Sequence, residues 1–510
     1  MPSTIPLLDH EPLTFQQALS EDFNVVQRHD QVALVEQQYS HLWSQRESIA
    51  AIVKAQLGLD ESAECSAASP EEWIRGKFNI CIPIAVESCQ LSGRVMMRCP
   101  VPSALAESYY PGNIAEKLRS EIGSYAWVQQ NCPDIRIPQL YGFSILDHHF
   151  TSEARLPWQS RLPNALLRWF RSLFRLAPRA PYAPISIPTQ LSSPYMLLEF
   201  IGPETGCVLS ESWDEHRNDP IRRERLFRGL ARMVVSLARI PQPRIGSFKF
   251  DDDGSITLTN RPSFAAMTTL ENSGAQQSIS AGETYTCTEP FVADMITLHD
   301  NYLISNESAA DDKADCRGHM AIRALLRTLS HNYIKRQWRN GPFLLQLTDL
   351  DQSNIFVNHD WDITCLVDLE WLCALPPEAL SAPYWLTGCA VDELVDNKEC
   401  NSLTEYDAIR QAFMQALREE ESKERLVWPL SAIMEDMWQS SGVWFWHCLT
   451  SVNAAYYLVA EHLCPRFSTT LTMRIEETFS HFWKEDVEMH IDRKLAEFQS
   501  YEQKLGRLFQ

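Results

Sequence analysis

The chain has 510 residues, with 45 Lys+Arg against 66 Asp+Glu and a formal charge of −21. A 45% hydrophobic and 22% charged composition is that of a globular protein and excludes a disordered or fibrous one. The acidic balance argues against a surface that tracks nucleic-acid phosphates, and the length implies several domains or one large bilobal unit.

Residues 24–57 read as helix, with Val35, Tyr39, Leu42, Ile49, Val53 and Leu57 at three- and four-residue steps and Gly58 as the stop. A polar link, 60–72, follows. Two apolar runs, 78–84 and 94–99, flank a turn near Ser92-Gly93 and predict an antiparallel pair. A helix is expected over 114–130 and further short strands at 140–143 and 195–200. Strands first, one helix among them and then mostly helices is an α+β pattern rather than a repeating βαβ one.

Between those strands, residues 155–181 hold six arginines and no acid, against the balance of the chain. Over 164–176, Arg168, Arg171 and Arg175 share one helical face, opposite Leu166, Trp169, Phe170 and Leu173. Two readings are open: a lid or membrane-surface helix, or a surface helix packed on its own lobe. From 221 onward the pattern is helical, interrupted by a hairpin at 248–258 whose Asp251-Asp252-Asp253 run lacks the spacing of a calcium loop. The uncharged stretch 437–460 is too polar for hydrocarbon and reads as a buried core helix, so no transmembrane segment is expected. The start lacks a secretory pattern. None of the 14 cysteines forms a Cys-x-x-Cys pair. Together these point to a reducing, cytoplasmic setting without a zinc or disulfide framework.

Neither a Walker-type phosphate loop, nor Gly-x-Gly-x-x-Gly, nor Gly-x-Ser-x-Gly occurs. The run 343–371 is the chemically loaded one: an apolar strand, the loop Thr348-Asp349-Leu350-Asp351-Gln352-Ser353-Asn354, and a short hairpin ending in Asp368-Leu369-Glu370-Trp371. The hairpin folds back so that Asp368 approaches Asn354. One carboxylate to accept a hydroxyl proton, with an amide oxygen and a second carboxylate to hold magnesium against phosphates, suits phosphoryl transfer.

This run resembles the core of the kinase-like small-molecule phosphotransferases, the aminoglycoside phosphotransferases and choline kinases, and most closely a large fungal branch of them. Their motif reads His-Gly-Asp-x-His-x-x-Asn, then a hairpin and Ile-Asp. The resemblance implies a bilobal protein-kinase-like fold binding ATP and magnesium, with Asp349 as catalytic base and Asn354 and Asp368 as metal ligands. It further implies that Arg98 meets the nucleotide phosphates and pairs with Glu121. The loop Gly76-Lys77-Phe78 would cover the phosphates, and the main chain of Glu199 to Ile201 would meet the adenine. The departures are Leu347, Thr348 and Asp351, standing for His, Gly and His; Asp351 adds charge that can raise the Asp349 pKa or favour a cationic substrate.

The implied organisation is a helical extension (1–72), an N-lobe (73–201) carrying the insert, a C-lobe (202–402) with the catalytic loop, and a helical C-terminal extension (403–510). The expected activity is ATP- and magnesium-dependent phosphorylation of a hydroxyl on a small molecule. The acceptor would be chosen by residues such as Tyr384, Trp385, Asp392 and Glu393. The alternative is a kinase-like binding or regulatory protein without catalysis. A protein kinase fits less well, because neither Asp-Phe-Gly nor Ala-Pro-Glu follows the hairpin.

Overall fold

The computed structural model describes residues 4–89, 92–146, 148–174, 176–189, 191–391, 393–396, 402–424 and 426–510. Arg175 and Asp392, singled out above, lie outside the described residues. A small hairpin, β1 (Thr4–Leu7) and β2 (His10–Thr14), opens the chain. The helical stretch predicted over 24–57 is two helices, Val25–Ser44 and Arg46–Leu57, broken at Gln45. Gly58 ends the second with a left-handed φ of 64°, which a side chain would strain.

An eight-stranded antiparallel sheet follows. It comprises β3 (Glu64–Ala67), β4 (Ile74–Arg75), β5 (Asn79–Glu87), β6 (Ser92–Pro100), β7 (Leu140–Ile145), β8 (His148–Ser152), β9 (Tyr182–Ile185) and β10 (Tyr195–Glu199). The polar link is therefore not only a link: 64–67 adds an edge strand to β5 through main-chain pairing, which needs no apolar pattern. The expected hairpin is β5–β6, and Ser92-Gly93 lies within its second strand rather than in the turn. Strand order runs β3-β5-β6-β10-β7-β8-β9, with β4 beside β5.

The side-chain alternation along β6 assigns the two faces of this sheet. Val95, Met97 and Cys99 join Ile80, Ile82 and Ile84 in a core capped by Ile49, Ile52 and Val53 of the N-terminal helices. The opposite face presents Asn79 and Arg98 toward the helix Asn113–Asn131, where Lys117 and Glu121 lie one turn apart.

The rest is mainly helical around two small sheets. One contains β11 (Cys207–Val208), β15 (Ile355–Val357) and β16 (Ile363–Leu366). The other contains β12 (Gly246–Phe250), β13 (Ile256–Asn260), β14 (Leu344–Leu347) and β17 (Leu372–Leu375). A large core joins Leu226, Leu230, Phe291, Met295, Leu344 and Phe413. The stretch 437–460, expected as one buried helix, spans the end of Leu430–Gln439, then Gly442–Thr450 and Ala455–Leu458. Its Trp444, Phe445 and Trp446 are buried as the apolar pattern requires. The last helix, Val487–Leu508, returns to the start of the chain, where Tyr501 and Leu505 pack with Ile5, Leu13 and Val25. A strand-rich N-lobe, a mainly helical C-lobe and added terminal helices make this the bilobal α+β architecture expected from the sequence.

Candidate functional site

β14 and β17 pair antiparallel with Leu347 opposite Leu372, so the loop leaving β14 and the segment entering β17 run side by side. The departures from the familiar motif serve this junction. Thr348, standing for Gly, donates to the Trp371 carbonyl from its hydroxyl at 2.8 Å and from its amide at 3.2 Å. Asp351, standing for His, caps the short turn Gln352–Asn354 by accepting from the Ser353 amide at 3.0 Å. Leu347 is a half-buried strand residue.

Asn354 Nδ2 donates to the Asp349 carbonyl at 3.0 Å, which leaves its Oδ1 as a free acceptor among the described contacts. The Val367 amide donates to the Asn354 carbonyl at 2.9 Å, so the hairpin does fold back onto the loop. Asp368 follows with a left-handed φ of 64°, a conformation an aspartate tolerates better than most side chains.

Arg98 lies at the centre of the network. Its Nη2 reaches Asp368 Oδ1 at 2.7 Å and Glu370 Oε2 at 2.9 Å, and its Nε stands 3.4 Å from Glu121 Oε1. Lys117 Nζ stands 2.8 Å from Glu121, 2.5 Å from Glu370 and 2.9 Å from the Asn79 side-chain oxygen. Asn79 in turn donates to Glu370 at 2.7 Å. The expected Arg98–Glu121 pair is thus part of a cluster of five charged groups and the Asn79 amide. Lys117 and Glu370 carried no sequence signal as site residues, because one sits mid-helix and the other beyond the motif.

Electrostatics divide the three carboxylates. Burial disfavours charge on Glu370, but Lys117 and Arg98 outweigh it and hold that group well below the usual range. Lys117 is raised despite burial, by Glu121 and Glu370. Asp368 is pushed up by burial and by Glu370 and Glu121, with Arg98 pulling the other way. Two fixed cations therefore face three carboxylates, and the least enclosed of these is Asp368, with 27% side-chain exposure. Its hydrogen bonds from Arg98 and from the Glu370 amide both fall on Oδ1.

Glu121, Asp368 and Glu370 each offer an oxygen within 4.8 Å of the other two. Arg98 and Lys117 already pair with these three carboxylates, so a divalent ion held there would share them with two fixed cations.

The sheet side of the cleft is folded down over this network. Gly76 donates to the Asn79 carbonyl at 2.9 Å, Lys77 Nζ donates to Thr269 Oγ1 at 2.9 Å, and the Phe78 ring meets Trp371 edge-on at 5.0 Å. At the other end of the sheet, Glu199 is held by Arg136 at 2.6 Å and by the Gln139 amide. The Glu199 amide is already bonded to the Gln139 carbonyl, whereas the Ile201 main chain carries no hydrogen bond among the described residues.

Asp349 opens onto a cavity of about 560 Å³ between the lobes. Lys77, Thr269, Tyr384, Trp385 and His447 are among its lining residues. Asp349 is its only carboxylate among the described residues. Surrounding protein pushes the Asp349 pKa up to about 6, Glu370 and Asp351 add to the rise, and Lys77 opposes it. The expected effect of Asp351 is present but secondary to burial. Burial lowers His447 to about 4, which leaves it neutral near neutral pH. Of the expected acceptor-selecting residues, Tyr384 and Trp385 line the cavity, while Glu393 instead accepts from the Ala390 amide at 2.8 Å.

Among solved structures, the chain is similar to an ethanolamine kinase of Plasmodium vivax, at 13% identity over 86% of this chain and 85% of that one, with a TM-score of 0.35. No protein-family model matches the chain. No curated protein matches it either. Among the described residues, no helix is long and apolar enough to cross a membrane.

Proposed function

We propose that the protein is an ATP- and magnesium-dependent phosphotransferase acting on a hydroxyl of a small molecule. The observation that carries this reading is the joining of the Asp349 loop to the Asp368 hairpin, through Thr348–Trp371 and Val367–Asn354, beside the Arg98–Glu121 pair. Asp349 accepts the proton of the acceptor hydroxyl at the cavity wall. Asp368 and Asn354 Oδ1 would hold a magnesium ion, which would supply charge neutralisation to the phosphates. Arg98, fixed by Glu121 and Glu370, aims a guanidinium that cannot lose its charge. Gly76, Lys77 and Phe78 cover the phosphates, and the open main chain of Ile201, next to Glu199, takes the adenine edge. The contribution of the chain is positioning and electrostatics.

The cavity refines the acceptor. A wall of Tyr384, Trp385 and leucines, with Asp349 as the one acid among the described residues, suits a hydroxyl compound with an apolar body. The test is product formation from magnesium-ATP and a panel of alcohols graded from amino sugars to apolar metabolites. Asp349→Asn is expected to lower turnover by about 10²–10⁴-fold with an unchanged melting temperature; full activity in that variant would remove Asp349 as the base.

A binding protein that has kept the fold is the second reading. It is favoured by the Phe78–Trp371 contact and by the saturation of Glu121 and Glu370 by fixed cations. Calorimetric titration with magnesium-ATP separates the two: absence of binding at millimolar nucleotide selects the second.

A further inference from the structure

The arginine-rich insert forms the helix Trp158–Leu173, and it is mounted with its polar side inward. Arg168 pairs with Glu153, and Arg171 pairs with Asp253 at 3.1 Å. Arg179 reaches Asn164 at 3.4 Å. The residues turned to the body are thus Asn164, Arg168 and Arg171, all half-buried. The opposite stripe, Trp158, Leu162, Leu166, Trp169 and Leu173, follows four- and three-residue steps and stands 54% to 66% exposed. The helix thus packs on its own lobe, one of the two arrangements the sequence allows, but through its arginine face rather than an apolar one.

We propose that this helix seats the protein on an anionic lipid surface, with the apolar stripe entering the headgroup boundary. Sixteen residues span roughly 24 Å, too short and too arginine-rich to cross a bilayer but suited to lying in its plane. Trp158 and Trp169 on the stripe are the side chains that favour that boundary. Charge complementarity selects lipid over a second copy of the chain. The segment 155–181 has six arginines and no acid, and Arg155, Arg161 and Arg179 have no carboxylate partner among the described residues. Stripe-to-stripe pairing of two copies would bring two such basic segments together, whereas phosphatidylserine headgroups attract each arginine near the surface by about 1 kcal/mol. The acidic body repels such a surface only over about 8 Å at physiological salt. The inference is independent of the catalytic reading.

The full chain is sedimented with phosphatidylcholine vesicles, with and without phosphatidylserine. The expected result is binding that requires phosphatidylserine, weakens with salt, and drops by at least about tenfold in Leu166→Glu/Leu173→Glu. Both residues face solvent, so that variant should melt like the parent. In the unaltered protein, brominated lipid should quench tryptophan emission, a readout that needs no variant. Binding unaffected by the double substitution would overturn the proposal. So would absence of binding to either vesicle, including the case in which the parent elutes as a dimer and the variant as a monomer.

Discussion

Asp349 faces a cavity yet is ringed by enough protein to titrate near neutrality, at about 6. A carboxylate serving as proton acceptor must be ionised, and a raised pKa means that protonation removes it as the pH falls through that value. Turnover is therefore expected to be flat above about pH 6 and to fall about tenfold per unit below it in a pH–rate profile. Arg98 is the residue whose loss the fold would feel most directly. Its guanidinium is 8% exposed and stands against three carboxylates, so Arg98→Ala leaves Lys117 alone to balance them. The expected cost is about 3–5 kcal/mol, read as a lower denaturation midpoint even without ligand. The return of the Asp368 hairpin onto the Asp349–Asn354 loop was legible in the sequence, because a tight turn and a short hairpin fix it by short-range geometry. Lys117 and Glu370 were not, because their contacts arise only when a helix and a distant strand meet across the sheet.

At the scale of elements, periodicity located the helices near 114–130 and 164–176 and the β5–β6 pair, since each buries one regular face. It missed β3, whose residues Glu64 to Ala67 are held by ladder hydrogen bonds at an edge and bury little. It merged the helices within 437–460, because an all-round apolar run has no period that marks a break. It also located the two faces of the insert helix without revealing which of them meets the body. That choice depends on Glu153 and Asp253, whose carboxylates lie outside the helix and fix the arginines from below.

Across the whole molecule, the two ends of the chain form one cluster. The Tyr501 hydroxyl accepts from the Val25 amide at 3.2 Å, and Leu505 is fully buried among residues of the first hairpin and helices. The terminal helix therefore braces the same N-terminal segment that caps the outer face of the large sheet. Leu505→Ala is expected to cost about 2–5 kcal/mol and to raise hydrogen exchange in residues 4–25 before the C-lobe responds. Such long-range closure, between positions hundreds of residues apart, leaves no local pattern for a reader of the sequence.

The edge-on packing of Phe78 against Trp371 carries a consequence for ligand entry. If nucleotide engages the Gly76-Lys77-Phe78 loop only once that buried contact opens, the observed affinity is the intrinsic one scaled by the fraction of molecules already ajar. A resting bias of about 1.4 kcal/mol toward the shut form would weaken apparent binding tenfold. It would also lower the nucleotide-loaded fraction, and with it any hydrolysis, by the same factor at sub-saturating nucleotide.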